Sequence, residues 1–591
     1  MSNWKGRFRD YLAQRLHESM DRLRLRLARP DALLQLSLLG LLAGVLASGL
    51  IIVFRLLIDF LQRQGFGLSH EEAFEELPLE IRVLLPIIGG LLLGAIFHFL
   101  PAHLRQVGVA HVILRVDRHH SAMPTGNAIV QFVGAGLALL FGQSVGREGP
   151  GIHLGAWGGS ALGRLMGLAH NSQRTLLACG AAAAISASFN TPLAGVIFAM
   201  EVILLEYTLT SFIPVILAAS SGAFLSTLVF GPDPAFRVQA QHITSPWELP
   251  LIALMGIGIG ILAALFIQGL QLTVRHTRHL PVMTRFTLAG LIVGLIGALV
   301  PEAMGIGYDS ASSAAQGKIV LSLLAIILLA KLLASVACLG LGMPGGVIGP
   351  TIVLGALAGG AMGSLIGAFM PASFAANGFY AILGMGAMMG ATLQAPLAAL
   401  TAVLELTSNP NAIMPAMIAI VTASLTSKVV FGKDSVFITL LLASGIETRR
   451  TRLWHSGNDI GLASVMDRDI AELPAHAQRS PCQSLIDRPT RWVLLWGDDG
   501  QALGLHAGPG FIERLQQTLA QAPEQEKFDL STLNGTGLSV APADLVMTLR
   551  EAELALRRAG AHALYVRRVT QRDERRAFGV LTREMIDATG S

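Results

Sequence analysis

The sequence predicts an all-α, polytopic membrane protein carrying a small α/β tail, and three observations predict it. Of 591 residues, 52% are hydrophobic and only 14% charged, with the charges gathered toward the two ends. A chain this apolar must put most of its surface into lipid, where helices satisfy their own backbone groups. The second observation is a repeat. Gly149-Pro150-Gly-Ile152-His-Leu154-Gly155-Ala156 returns at an offset of 200 as Gly349-Pro350-Thr-Ile352-Val-Leu354-Gly355-Ala356, and the match runs on to Gly167 and Gly367, with 11 identities in 19 positions. The third is a change of composition after Arg452, where Asp, Glu, Arg, Gln and His return and long apolar runs stop.

At the N-terminus, residues 1–30 hold eight Lys and Arg against three acidic residues, a net charge of +5, with no apolar core or cleavage site directly following. This predicts an amphipathic basic segment over 1–31 lying on an anionic cytoplasmic leaflet rather than a cleaved signal. Arg449, Arg450 and Arg452 flank the last apolar segment. With the basic N-terminus they place both chain ends in the cytoplasm.

Between these ends a transmembrane region is expected over 32–450, in two halves of roughly 32–231 and 249–446. Several of its apolar segments, such as 396–407 and 436–446, fall short of the ~20 residues a full span needs. Short, Gly- and Pro-interrupted segments in equivalent places of two halves predict broken or re-entrant helices lining a midplane site. The repeat extends past its opening pair. Pro192-Leu-Ala with Glu201 recurs as Pro396-Leu-Ala with Glu405, and Gly180 and Gly384 each precede that proline by twelve residues.

Each copy of the repeat sets glycines before a proline at the start of an apolar run, the pattern of a helix N-terminus. Free N–H groups and the positive dipole end attract an anion there. In the first copy Glu148 sits at that entrance, and a carboxylate inside a membrane protein is a functional candidate by default. Deprotonated, it would occupy the place the helix end offers an anion; protonated, it would lose that hold. Lys331, within the apolar run 319–339, is an intramembrane cation that either raises the potential near the pathway or is paired.

The tail reads as a repeated α/β pattern over 451–591. Leu538–Val540, His562–Val566 and Ala577–Leu581 are expected strands, Leu545–Gly560 and Thr582–Thr589 helices, and Arg567–Arg576 a charged hairpin. Residues 464–520 run similarly, with strands at Trp492–Leu495 and Leu503–His506. Three cysteines far apart give neither a disulfide framework nor metal-ligand spacing. No phosphate loop, paired catalytic carboxylates or metal cluster appears, so an enzyme is not expected. The net charge of +4 suggests no nucleic-acid partner.

Three ordered motifs carry a family resemblance: Gly146-Arg-Glu-Gly-Pro150 followed by Gly-Ile-His-Leu-Gly; Asn190-Thr-Pro-Leu-Ala-Gly-Val-Ile-Phe198; and Pro344-Gly-Gly-Val-Ile-Gly-Pro350. Together they resemble the CLC family of chloride channels and proton–chloride antiporters, over about residues 32–446. The tail is similar to the CBS-domain pair common in that family. The resemblance implies two inverted repeats, a homodimer with one pore per subunit, chloride or a similar anion as cargo, and a bacterial inner membrane as location. It makes Glu148 the gate and places Gly146, Arg147, Gly149, Val347, Ile348, Gly349, Val107, Gly108 and Phe437 at the anion path. Arg147 either draws anions in or pairs with a carboxylate.

Departures from the family pattern shape the functional expectation. Val107 stands where a serine usually contacts the central anion, Ile348 replaces a phenylalanine, and Phe437 replaces the pore tyrosine near the end of the last membrane helix. Val202 stands where antiporters often carry an internal proton glutamate. Its neighbour Glu201, about 100° away around a helix, reads as structural, and Glu405 likewise. Passive chloride conduction gated by Glu148 is therefore the leading expectation. Proton-coupled chloride exchange is the close alternative, with fluoride transport or a non-conducting sensor behind it. In the tail, Thr582 of Gly579-Val-Leu-Thr582 is the one candidate nucleotide contact. The carboxylate expected three residues later is Met585, so no cofactor is expected and the tail reads as a dimerisation scaffold.

Overall fold

The structure, a computed structural model, describes residues 33–70, 72–236, 243–369, 377–446, 461–533, 537–567 and 577–589. The basic N-terminal segment, Arg449, Arg450, Arg452 and most of the charged hairpin after Arg567 lie outside the described residues. The chain divides into two compact units.

The larger unit is helical. Its elements are α1 (Leu33–Phe66), α2 (Leu79–Phe99), α3 (Gly108–Arg118), α4 (Thr125–Leu140), α5 (Glu148–Leu165), α6 (His170–Phe189), α7 (Pro192–Phe198) with a π-helical turn Ala199–Leu204, and α8 (Leu209–Phe230). The second half holds α9 (Glu248–Thr277), α10 (Val282–Leu299), α11 (Tyr308–Ala315), α12 (Leu321–Gly340), α13 (Ile348–Phe369), α14 (Asn377–Leu393), α15 (Pro396–Thr407), α16 (Ile413–Leu425) and α17 (Val436–Ala443). Among the described residues, eight helices are long and apolar enough to cross a membrane. Their outward faces expose large apolar side chains such as Leu38, Val53, Leu84, Leu265 and Leu329, the surface lipid requires. Shorter apolar helices, among them Pro396–Thr407, sit between them, as the interrupted segments predict.

The repeat is visible as packing. A Cβ on Gly155 of α5 would stand 2.3 Å from the carbonyl of Gly180 on α6, and one on Gly180 would stand 2.0 Å from that of Gly155. The second half repeats this between Gly355 of α13 and Gly384 of α14, at 2.3 and 2.2 Å. Glycine is what lets the two backbones touch, the small-residue device of membrane helix pairs. The repeated prolines start α7 and α15 at their first turns, where the missing N–H costs nothing.

The second unit takes in the tail together with Met166–Ser172, the connection after α5 and the first residues of α6. After a short helix, α18 (Leu462–Val465), β1 (Ile470–Pro474), β2 (His476–Gln478), α19 (Arg479–Asp487), β3 (Trp492–Trp496), β4 (Ala502–Ala507), α20 (Gly508–Gln521) and β5 (Lys527–Asp529) form the first module. β6 (Val540–Asp544), α21 (Leu549–Ala559), β7 (Ala563–Arg567), β8 (Ala577–Thr582) and α22 (Arg583–Thr589) form the second. Both sheets have one order: a parallel pair (β1–β3, β6–β7), then an antiparallel neighbour (β4, β8). Two modules of matching β–α–β–β–α order are consistent with a CBS-like pair. Two elements of the second module differ from expectation by more than one residue. The first strand of the second module runs over Val540–Asp544 rather than 538–540. Its helix starts at Leu549, because Thr548 and Glu551 form a capping box there.

Candidate functional site

Four helices begin around one region: α3 after Val107, α5 at Glu148, α13 at Ile348 and α17 at Val436. The two repeat copies are tied together at their N-termini. Gly146 N–H donates to Gly346 O at 2.8 Å and Gly346 N–H to Gly146 O at 2.7 Å. The half-helix ends therefore meet, as the repeat requires. Gly346 leaves no room for a side chain, since a Cβ there would stand 2.5 Å from Gly149 N.

Glu148 lies at this junction, 1% exposed. Its Oε2 accepts from Gly349 N–H at 3.1 Å, so the carboxylate occupies a place that α13's N-terminus offers to an anion. Its Oε1 accepts from the hydroxyl of Tyr308, and Arg147 Nε lies 3.9 Å from the same oxygen. Hydrogen bonds to a charged group contribute about 1.5–3 kcal/mol each, so the carboxylate is held, not loose. Arg147 also lies over the Tyr308 ring, 5.6 Å from its centroid. Phe189 and Phe236 flank that ring, each at 5.9 Å.

Glu148 stands on the divide between two cavities. One, of about 470 Å³, is lined by Val107, Gly108, His111, Gly149, Gly346, Val347 and Phe437, among others. The other, of about 460 Å³, is lined by Arg55, Arg147, Asn190, Phe236 and Tyr308, among others. The chain neighbours of Glu148 thus open to different sides: Gly149 to the first and Arg147 to the second.

The candidate residues are brought together, with three adjustments. The Gly146 amide is spent on Gly346, and the Gly108 amide donates to Gln131 Oε1 at 2.6 Å. Neither amide is free for an anion, which leaves the Val347–Ile348–Gly349 turn as the candidate donor set. Phe437 lies at the start of the short α17, not near the end of a helix, so its ring faces the cavity from an N-terminus. Lys331 is fully buried, and its Nζ donates to Ala303 O at 3.2 Å and Gly305 O at 2.7 Å. It stitches the turn leading into α11 and so bears on Tyr308. Glu72 holds the same turn by accepting from Gly307 N–H at 3.0 Å.

Val202 is buried on the π turn after α7, as an apolar residue. Glu201 faces elsewhere: its carboxylate accepts from the N–H groups of Leu397 and Ala398 at 3.3 and 2.8 Å. Glu405 does the same for Leu193 and Ala194 at 2.9 and 2.8 Å. Each glutamate caps the first turn of the other repeat's helix, where orphan N–H groups need an acceptor. In the tail, Thr582 Oγ1 accepts from Met585 N–H at 3.4 Å at the start of α22.

Sequence reasoning missed Tyr308, Gln131 and Glu72. The only local trace of Tyr308 is the Gly305-Ile-Gly307 run before it, and Gly307 adopts φ +89° to turn the chain into α11. Nothing nearby in sequence marks its partner 160 residues away.

Twin half-helix N-termini meet at a buried carboxylate within a membrane bundle, an arrangement suited to holding an anion. The profile of the family described as Voltage gated chloride channel matches residues 89–428, and the chain belongs to that family. A protein of Ralstonia nicotianae named for its likeness to the chloride channel protein ClcB is 30% identical over 63% of this chain and 88% of its own. The H(+)/Cl(-) exchange transporter ClcA of Salmonella paratyphi B is 30% identical over 71% of this chain and 91% of its own. That of Citrobacter koseri is 33% identical over 53% and 68%. Among solved structures, a slow cyanobacterial Cl-/H+ antiporter superposes with a TM-score of 0.61 at 21% identity, over 71% of this chain and 99% of its own. A eukaryotic CLC transporter superposes with 0.58 at 19% identity over 93% and 98%. At these identities the superpositions establish the fold. The chain is a multi-pass CLC anion transporter of the membrane.

Proposed function

We propose that this protein exchanges chloride for protons, with Glu148 as the group both ions compete for. One observation carries the reading: a buried carboxylate takes a helix N-terminal amide and a tyrosine hydroxyl at the divide between two cavities. Neutralised, it has no reason to stay, and chloride takes the Gly349 amide in its place. A single group that alternates between proton and anion couples the two flows. The exchange relatives named ClcA, at 30–33% identity, support this reading over the passive conduction that Val202 suggests on its own.

The donors left for chloride are the amides at Val347, Ile348 and Gly349. Val107 and Phe437 contribute walls without hydroxyls, so anion binding at the centre is weak. The cavity lined by Val107 and Phe437 also takes in Ser444 and Ile446, where the chain leaves for the tail. We assign it to the cytoplasmic side, with both termini, in an inner membrane. A homodimer with one pathway per subunit, and a tail that acts as a scaffold without nucleotide, complete the proposal.

The test is Glu148→Ala in liposomes. Chloride flux should persist and lose its dependence on pH, and proton movement should stop. A variant that keeps acid activation removes Glu148 from the role.

A further inference from the structure

One buried titratable cluster has no place in the scheme above. His111 on α3 is 4% exposed and His153 on α5 fully buried, and Nδ1 of His111 lies 3.0 Å from Nε2 of His153. The rings are 5.2 Å apart between centroids. His111 lines the Val107 cavity, so one end of the pair reaches it. At the other end, the buried Nδ1 of His153 has no hydrogen-bond partner among the described residues. An unsatisfied buried ring nitrogen is costly, and a structural pair would be expected to satisfy both ends. α3 packs against α5 and also against the π turn that carries Val202.

We infer that His111 and His153 form a proton relay from the Val107 cavity toward Glu148, taking the place of the acid absent at Val202. This rests on the exchange reading. An imidazole takes a proton at one ring nitrogen and releases one at the other, which no other side chain here does near neutral pH. A proton from cavity water binds Nε2 of His111. His111 then passes its Nδ1 proton to Nε2 of His153, and His153 releases its own Nδ1 proton. One proton enters, one leaves, and each ring ends neutral. Before the next proton can pass in the same direction, each neutral ring turns over and carries its remaining proton back to the side it started from. His153 is five residues along α5 from Glu148, about 7.5 Å of helix axis, so the relay as proposed ends in a water-mediated step across that gap.

The charged groups around the pair come from several elements. α3 itself brings Arg115, Asp117 and Arg118, with His119 just past its end; α5 brings Glu148 and Arg164, α6 brings His170 and Arg174, the latter paired with Glu206, and Arg105 and Arg285 line the cavity that His111 also lines. On the π turn, Glu201 is committed to the amides of Leu397 and Ala398. α4, α13 and α17 carry no charged side chain.

The experiment reconstitutes the full chain in liposomes and records chloride efflux and external pH together, for the wild type, His111→Gln and His153→Gln. Glutamine keeps a hydrogen-bonding amide but cannot carry a proton through. The relay predicts that protons moved per chloride fall tenfold or more in both variants. An unchanged ratio in either variant overturns it. So does a parallel loss of both fluxes, because the pair would then be packing and not a path. Failure of the exchange reading is distinct: there, the wild type itself moves no protons.

Discussion

The hydroxyl of Tyr308 donates to the carboxylate of Glu148, reaching it from a helix that begins 160 residues later in the chain. Gly349 holds the other oxygen. The carboxylate proposed to block the path is thus clamped from two elements, and each clamp can be removed singly. Tyr308→Phe keeps the ring against Phe189 and Phe236 and deletes only the donor. A hydrogen bond to a charge is worth about 1.5–3 kcal/mol, and 1.4 kcal/mol is tenfold. Chloride efflux at neutral pH should rise by about tenfold, and an unchanged rate would show that the hydroxyl does not hold the gate.

Lys331 acts one step further back. Its two carbonyl bonds fix the turn that delivers Tyr308. Lys331→Met fits the space but leaves those carbonyls unpaired, at a cost of about 1–3 kcal/mol. The variant should be less heat-stable and should open Glu148 in the same sense as Tyr308→Phe. In the double variant the two effects on efflux should be less than additive, since both act through one hydroxyl. Full additivity would separate Lys331 from the gate.

Glu201 and Glu405 are each spent on the helix start of the opposite repeat. Glu201→Gln removes a charge that two N–H groups share. We expect a loss of about 1–2 kcal/mol, seen as a lower melting temperature. The number of protons moved per chloride should not change. A changed ratio would return Glu201 to the proton path.

Two glycines on α5 give an internally controlled test of packing. Gly155→Ala forces a Cβ to 2.3 Å from the Gly180 carbonyl, whereas at Gly158 a Cβ meets nothing within 4 Å. The first should destabilise by about 1–3 kcal/mol, and the second should be neutral or slightly stabilising, as alanine favours helix. Equal stabilities would refute the close contact.

Much of this architecture was legible because it is written as spacing. The offset of 200 carried the meeting of Gly146 with Gly346, and Gly180 and Gly384 carried the helix contacts that made them recur. Glu148 was legible because a charge in an apolar run has few neutral explanations. What sequence could not give was partnership across distance. Tyr308, Gln131 and Lys331 matter through atoms 23 to 160 residues away, and no local period encodes that. The capping box at Thr548 and Glu551 was present in the sequence, but the apolar residues before it drew the expected helix start to Leu545. Val202 on its own points toward a passive channel, and no local pattern joins His111 to His153, 42 residues apart in the chain.

The central claim is exchange. Liposomes loaded with high chloride and diluted into low chloride, with external pH followed at zero initial proton gradient, test it most directly. The account predicts that chloride leaving the vesicles drives protons inward, against the gradient that builds, so that external pH rises. Glu148→Ala should release chloride with no such rise. Chloride efflux from the wild type with no uphill proton movement, and a reversal potential set by chloride alone, would contradict the account and make the protein a passive conductor.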